Sequence, residues 1–533
     1  MQLCLSSFSP AGDGVTNDAA ALRACFTEAA SGNAALVTIE PGTYLVDSAE
    51  SIPLCSHLTV RAYGATFLFP KDLGAVTYRR MFYGEDLTDV DWQGGHFVGY
   101  VYDPEREENP WEPASYTGCI QIHASETGKV ENIRVRDITA ENVAGAIIHV
   151  RGCPEKFAER VDVRDCNFTN CGKFMWDYGY LWQRAVFSHE YTPQAVANAF
   201  QYLPKEHISS ELTLRDGRIY ADYMPPVLPL ERDQVTFFGE TVPAGTKRGK
   251  QYFVLNKGAE NGLILSETEG GDPLTLTEIA PGTRLFRNMF YIFHDLFAPV
   301  GHFVQEKGSI DTAWCRHVTV SGCRTDASGD SMHILTCHNV VFSNNQITGS
   351  RMGAFYIGFH CKDVTVTGNT VYGTNGSRTM SVERSTENIT ITGNTFIGGG
   401  RGCWVNQPRN IIISDNILVR NTQKCTPDIH TGRICQATGD FEQYPELYFT
   451  TWQENAVYGP VIIRGNIIET AAGASAAVAF NPGGRDILME GNIIRGDVRE
   501  IHVASGCDMP VMFHNLGMGD IIDHTFVNTA NVR

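Results

Sequence analysis

Short runs of alternating apolar and polar residues, each ending in Gly or Asn, recur along the chain. "VTVSGC" starts at Val318, "VVFSNN" at Val340, "VTVTGN" at Val364, "ITITGN" at Ile389, "IIISDN" at Ile411, "VIIRGN" at Val461 and "ILMEGN" at Ile487. The starts lie 22 to 26 residues apart, except for an interval of 50 between Ile411 and Val461. That interval is either two periods or one period carrying the polar excursion "RNTQKCTPDIHTGRICQATGDFEQYPELYF". Weaker copies occur in "HLTVRAYG", "IRVRDI" (Ile133), "VDVRDC" (Val161) and "LTLRDG" (Leu212). Alternation of period two followed by Gly or Asn predicts a strand ending in a turn. A strand-rich repeat in the low twenties predicts a solenoid. The regular Leu and Asn/Cys consensus of leucine-rich repeats is missing, and a β-sandwich would space its strands irregularly. The expected fold class is therefore all-β, a parallel β-helix whose equivalent strands stack at about 4.8 Å. The last position of each phrase reads Cys323, Asn345, Asn369, Asn394, Asn416, Asn466 and Asn492. Stacked amides at such a column can hydrogen-bond from coil to coil, and Asn tolerates the left-handed turn conformation.

Other segments depart from the repeat. "TNDAAALRACFTEAA" predicts an amphipathic helix, and "PGTYLV" a first strand. "YTPQAVANAFQYLP" (Tyr191 to Pro204) predicts a helical insertion with Pro in its first turn. Val235 to Phe286 predicts hairpins joined by Gly-rich turns. The resulting division is 1–217, cap and first coils with the insertion near 191–204; 218–300, an inserted small β subdomain; and 301–533, the C-terminal coils. The stretch "GDGVTNDAAALRACFTEAA…VTIEPGTYLV" (Gly12 to Val46) resembles the N-terminal cap of pectate-lyase-like right-handed β-helix proteins. Polygalacturonases, tailspikes and other carbohydrate-active enzymes belong to this group. The resemblance implies a right-handed, single-stranded parallel β-helix plugged by its capping helix, and a carbohydrate substrate. It extends over the cap and the general repeat. "RTDASGDSMHI" is faintly similar to the polygalacturonase pattern, but Asp326 and Asp330 are too close in sequence to lie on two coils. The Gly-His-Gly and Arg-x-Lys elements of that family are also missing, so no polygalacturonase role is carried over, and Asp326 reads as a turn residue.

The register of a solenoid serves as a coordinate. A second strand precedes each phrase: "GSIDTAW", "GDSMHIL", "GAFYIGF", "RTMSVER" and "RGCWVNQ". If Ile310, Ile334, Ile357, Val382 and Val405 point inward, their neighbours point outward. The preceding positions give Ser309, His333, Tyr356, Ser381 and Trp404. The following positions give Asp311, Leu335, Gly358, Glu383 and Asn406. Four before gives Glu306, Asp330, Gly353, Arg378 and Arg401. This register expects Glu306 and Asp330 one rung apart, roughly 5 Å, with Asp311 and His333 close by. Carboxylates so close cannot all ionise freely, and such a set can supply a proton donor and an ionised partner to a glycosidic bond. Glu306, Asp311, Asp330 and His333 are thus the candidate catalytic residues, with His333 orienting or tuning a carboxylate. Arg378, Glu383, Arg401 and Asn406 are candidates for binding hydroxyls or a sugar carboxylate, and Tyr356 and Trp404 for stacking on a ring. Arg378 with Glu383 is equally readable as a plain salt bridge. "FMWDYGYLWQ" adds Trp176 and Trp182, as a cleft wall or as an anchor for the insertion.

Composition narrows the function classes. The chain has 533 residues, 43% of them hydrophobic, enough for a large core. A net charge of −18 disfavours nucleic acid and anionic membranes as partners. No apolar run is long enough to span a bilayer. The 15 Cys are scattered without a paired CxxC cluster, so neither a disulfide framework nor a metal site is expected. With no basic, apolar leader in "MQLCLSSFSPAGDG", the expectation is a cytoplasmic protein. The leading function is hydrolysis of an oligo- or polysaccharide by paired carboxylates, without cofactor. The alternative is a polysaccharide lyase or uronate epimerase, in which Lys307, His333, Arg351 or Arg378 serves as base or neutralising cation and a divalent cation can take part. The third is a non-catalytic, tailspike-like glycan-binding shaft. A homo-oligomer is expected, a trimer being common in the family the chain resembles.

Overall fold

The structure, a computed structural model, describes residues 2–71, 78–100, 116–172, 208–225, 230–239, 241–246, 251–256, 262–268, 270–288, 308–350, 353–373, 378–400, 402–422, 444–451 and 455–524. The chain divides into two compact units, one of residues 1–174, 305–432 and 442–533, the other of residues 175–304 and 433–441.

The first unit is a right-handed parallel β-helix. Three parallel sheets of 14, 13 and 13 strands run along it, and successive coils add one strand to each in chain order. The repeated phrases stack as one column of the first sheet: Val318, Val340, Val364, Ile389, Ile411, Val461 and Ile487 are successive rung partners. Ile411 and Val461 are direct neighbours, so the long interval is one period plus an excursion. Val161 and Val318 are also direct neighbours, although most of the second unit lies between them in sequence. Inward residues such as Val340, Phe342, Val364 and Val366 fill the shaft, and outward Thr, Ser and charged residues meet solvent. This is what period-two patterning requires of a one-sided sheet.

Two local devices close each coil. The left-handed residue lies one position before the Asn column: Gly322, Asn344, Gly368, Gly393, Asp415, Gly465 and Gly491 all have φ between 56° and 67°. Gly, Asn and Asp are the residues that adopt this conformation cheaply. The column residue itself is buried and works as a ladder. Asn345, Asn369, Asn394, Asn416, Asn466 and Asn492 each accept the backbone N–H of the residue one coil earlier, from Cys323 through Asn466. The helix Ala19–Glu28 closes the first coils by burying Leu22, Cys25 and Phe26, with Phe26 against Phe82 (5.4 Å) and Trp92 (6.4 Å).

The second unit is antiparallel. Leu265–Ser266, Gln251–Val254, Leu230–Phe238 and Arg284–Asn288 form a four-stranded sheet over Val235, Phe237, Tyr252 and Leu285. Leu212–Arg215, expected as a weak rung of the shaft, instead pairs antiparallel with Arg218–Ala221. The turn between them is Asp216-Gly217, both at positive φ, which is a two-residue hairpin signal rather than a coil turn. The expected helix at 191–204 lies outside the described residues.

Candidate functional site

Connectivity singles out the third sheet. The long excursions leave the shaft at one corner, between the second and third sheets: from His96–Val98 to Tyr116–His123, from Asn167–Thr169 to Gly308–Ala313, and from Ile417–Val419 to Leu447–Thr450. The third sheet is also where outward residues are withdrawn from solvent. Every residue of Gly308–Ala313, Asp330–Leu335 and Gly353–Gly358 is buried, outward positions included.

The outward column reads Gln121, His149, Asp311, His333, Tyr356, Ser381, Trp404, Tyr448 and Ala479. The inward partners Ile310, Met332, Phe355 and Met380 lie in the core. Asp311 is therefore the rung partner of His333 itself. The expected register set Ile310 beside Ile334, whereas Ile310 pairs with Met332. A slip of two residues keeps each side chain on its face and moves it one step along the strand. The outward set survives the error, and Asp311 moves into the His333 column in place of Ser309.

Asp311 Oδ2 and His333 Nδ1 are 3.0 Å apart, and both side chains are wholly buried. The His333 ring stacks on Tyr356 with centroids 4.7 Å apart and planes at 24°. The Tyr356 ring lies over Gly358, where a Cβ would meet Tyr356 Cε1 at 2.5 Å; a larger residue would displace the ring. Burial pushes the Tyr356 hydroxyl well above the usual phenol range. Glu383 and Asp330 add to the rise, while Arg384 and Arg378 oppose it. Tyr356 thus keeps its proton at neutral pH, and Asp330 and Glu383 both lie within its field. Gly353 makes room for Asp330, since a Cβ there would come 3.5 Å from Asp330 Oδ1 and 3.1 Å from the Arg378 carbonyl oxygen.

One coil further on, Arg378 pairs with Glu383 and donates to Ser381 Oγ at 3.3 Å; Ser381 in turn donates to Glu383. The Arg378 guanidinium also lies over the Trp404 ring, 4.1 Å from its centroid. Solvent reaches this end of the site: the Arg378 and Glu383 side chains are 14% and 13% exposed. Tyr356, Ser381 and Asn406 are buried. The arrangement is graded, with a closed Asp311–His333 end and an open Arg378–Glu383 end.

The structure thus brings together Asp311, Asp330, His333, Tyr356, Arg378, Glu383 and Trp404, with Asn406 two positions along from Trp404. On the preceding rung Asp330 pairs with Gly308. Glu306, Arg401, Trp176 and Trp182 lie outside the described residues, as do Lys307 and Arg351. The sequence reading missed His149 and His123. His149 is the rung partner of Asp311, and its Nδ1 is 2.9 Å from His123 Nε2. The signal was present: "CIQIH" and "IIHVR" alternate apolar residues with Gln121, His123 and His149 at outward positions. Among the described residues, no three His, Cys, Asp or Glu side chains are arranged to hold a metal ion.

A family model described as periplasmic copper-binding protein (NosD) matches residues 294–430, well under half of the chain. This match overturns the cytoplasmic expectation, because the family it describes is periplasmic. A search of curated proteins finds no match. Among solved structures, the chain is similar to the A-module of the Azotobacter vinelandii mannuronan C-5 epimerase AlgE4, at 11% identity and a TM-score of 0.46, over 96% of this chain and 99% of that one. It is similar to PfbA, a surface adhesin of Streptococcus pneumoniae, at 12% identity and TM-score 0.43, over 97% and 91%. The tailspike protein of the E. coli bacteriophage HK620, solved in complex with a pentasaccharide, matches at 10% identity and TM-score 0.39, over 96% and 66%.

Proposed function

We propose that the chain is a carbohydrate-active enzyme that hydrolyses a glycosidic bond, with Asp330 and Asp311 as its carboxylates. The observation that carries this reading is the gathering of acids around one buried imidazole–phenol stack. Asp311 lies against His333, and Asp330 and Glu383 lie in the field of Tyr356. Hydrolysis needs one carboxyl to protonate the leaving oxygen and a second, ionised, on the other side of the bond. In this reading Asp330 is the donor. Asp311, 3.0 Å from His333 Nδ1, is the second carboxylate. The Arg378–Ser381–Glu383 network binds hydroxyls, and Trp404 offers an aromatic surface to a ring. Asp330→Asn should lower reducing-end release from the responsive substrate of a glycan panel by about 100-fold or more, with unfolding unchanged. Turnover retained in that variant rejects the assignment.

A second reading, elimination or C5 epimerisation of a uronate, is favoured by the way Asp311 addresses Nδ1 of His333. A carboxylate in that position orients an imidazole as a base through its other nitrogen. The products separate the two readings: unsaturated, ultraviolet-absorbing uronides mark elimination, and solvent deuterium at C5 marks epimerisation. No product and no exchange with any glycan would leave a binding shaft.

A further inference from the structure

Beyond the acid cluster, the buried side-chain atoms without a hydrogen-bond partner among the described residues include four at the Trp404 end of the third sheet: Trp404 Nε1, Asn406 Oδ1, Gln407 Oε1 and Asn481 Oδ1. Their residues are 2, 5, 7 and 7% exposed. An orphaned buried polar atom is destabilising, and native proteins hold few of them. Three on one coil, with a fourth two coils on, require a cause.

Their placement gives one. Trp404 and Tyr448 are rung partners in the column that carries His333 and Tyr356, with rings edge-to-face at 4.9 Å. Two positions along, Asn406 pairs with Thr450. Asn481 follows Phe480, the rung partner of Phe449, and so adjoins Thr450. The Nδ2 of Asn481 donates to Tyr448 Oη at 2.7 Å and to Thr450 Oγ1 at 3.2 Å, which leaves its carbonyl end unused. Gln407 is held the same way, with Nε2 donating to Ser385 Oγ at 2.9 Å and Oε1 unused. The protein has fixed the donor ends of two amides and left their acceptor ends unfilled.

We propose that Trp404, Asn406, Gln407 and Asn481 form a subsite for an uncharged, hydroxyl-rich sugar ring; the inference rests on reading the adjoining acid cluster as carbohydrate-active. The orphans comprise three carbonyl acceptors and one indole donor. A sugar hydroxyl both donates and accepts, so a ring bearing several can satisfy all four. A uronate carboxylate only accepts and would face three amide oxygens. The adjoining cation, Arg378, directs Nη1 to Glu383 and Ser381, so its charge is already matched by a carboxylate; its buried Nε is a further donor without a partner, which a hydroxyl can also fill. A bound cation would suit the carbonyls but not the indole N–H, which only donates. Charge-neutral recognition here also favours hydrolysis over uronate chemistry in the bond beside it.

The test uses the full-length Asp330→Asn protein, titrated calorimetrically with neutral oligosaccharides of gluco, galacto and manno configuration and with oligouronates. A neutral glycan should bind, and oligouronates should not. Adding Asn406→Leu should weaken binding about 10-fold, the loss of one good hydrogen bond. It should leave the melting temperature at or above that of its parent, because the substitution removes an orphan and breaks no side-chain hydrogen bond among the described residues. Trp404→Phe, which keeps an aromatic face and deletes Nε1, should weaken binding similarly. Binding of oligouronates as tight as of neutral glycans, or no neutral glycan bound, overturns the proposal. So does an Asn406→Leu protein that melts lower and binds unchanged. The two readings fail separately. Turnover surviving Asp330→Asn, with KM raised by Asn406→Leu, removes the acid assignment and keeps the subsite. An inactive Asp330→Asn protein whose affinity ignores Asn406→Leu does the reverse.

Discussion

Asn369 is the sharpest place to test what holds the coils in register. Its side chain is buried and makes five hydrogen bonds. It accepts from the backbone N and the Nδ2 of Asn345, both at 2.9 Å. It donates to the carbonyls of Phe342 (3.0 Å) and Thr367 (3.1 Å) and to Asn394 Oδ1 (2.9 Å). Asn369→Leu keeps the volume and deletes all five, so cavity formation is a minor part of the effect. At about 1 kcal/mol per neutral bond, and with some partners retaining a second bond, the loss should be about 3–5 kcal/mol. Asn515 makes three comparable bonds but sits at the half-buried end of the ladder, where water replaces what is lost. Asn515→Leu should therefore cost only about 1 kcal/mol. Urea unfolding followed by far-UV circular dichroism measures both, provided the slopes match so that midpoints can be compared. Equal losses at the two positions, or less than about 1 kcal/mol at Asn369, would refute the claim that the amide ladder, rather than strand pairing alone, sets coil-to-coil stability.

Three further outcomes follow from named contacts. Glu446 is buried and its carboxyl is pushed up to about 8, by burial foremost, against hydrogen bonds from Asn421. The unfolded carboxyl ionises near its ordinary value of 4.5, so the unfolded state binds fewer protons between 4.5 and 8. Stability should then fall by several kcal/mol as pH rises through that window and level off above it. Glu446→Gln should lose this component in melts across pH 4.5–8, and an unchanged slope would contradict it. Phe26→Ala should cost about 3–5 kcal/mol, because the ring seals the first coils against Phe82 and Trp92; chemical denaturation reads the loss. Gly358→Ala should reduce turnover while sparing stability more than Phe26→Ala does. The added methyl meets the Tyr356 ring edge, not backbone, and displaces the phenol from His333; kcat paired with a melting curve decides.

The fold was legible because a β-helix repeats its own constraints. One inward pair and one turn residue per coil, written seven times from Val318 to Ile487, leave little freedom to misread. The first-sheet register was right at every strong copy because β-branched pairs mark it. The third-sheet strands lack such a marker: "GSIDTAW" and "GDSMHIL" each offer two apolar positions of the same parity, and the wrong one was matched. Leu212 imitated a rung because alternation alone cannot tell parallel from antiparallel pairing; the Asp216-Gly217 turn could have. His149 went unread because its rung partner, Asp311, is separated from it by the second unit's sequence. The cytoplasmic expectation rested on the first residues of the sequence alone, which carry no physical information about the shaft.

Two sheets of one shaft treat their outward residues in opposite ways. In the first sheet, outward residues such as Thr319, Val341 and Thr365 are at least partly open to water, and a scaffold needs nothing more of them. In the third sheet, the same positions hold Asp311, His333 and Tyr356 and are shut away. Burying charged and polar groups is unfavourable unless partners satisfy them. A solenoid that only had to stack would not concentrate that cost on one face, or repeat it over successive coils. The first-sheet positions thus serve as the internal control. Replacing Thr365 or Thr390 by Val should leave stability and turnover within about 0.5 kcal/mol of wild type. An apolar replacement of equal size at His333 should remove turnover, and one at Asn406 should weaken substrate binding, each costing the fold far less than its burial suggests.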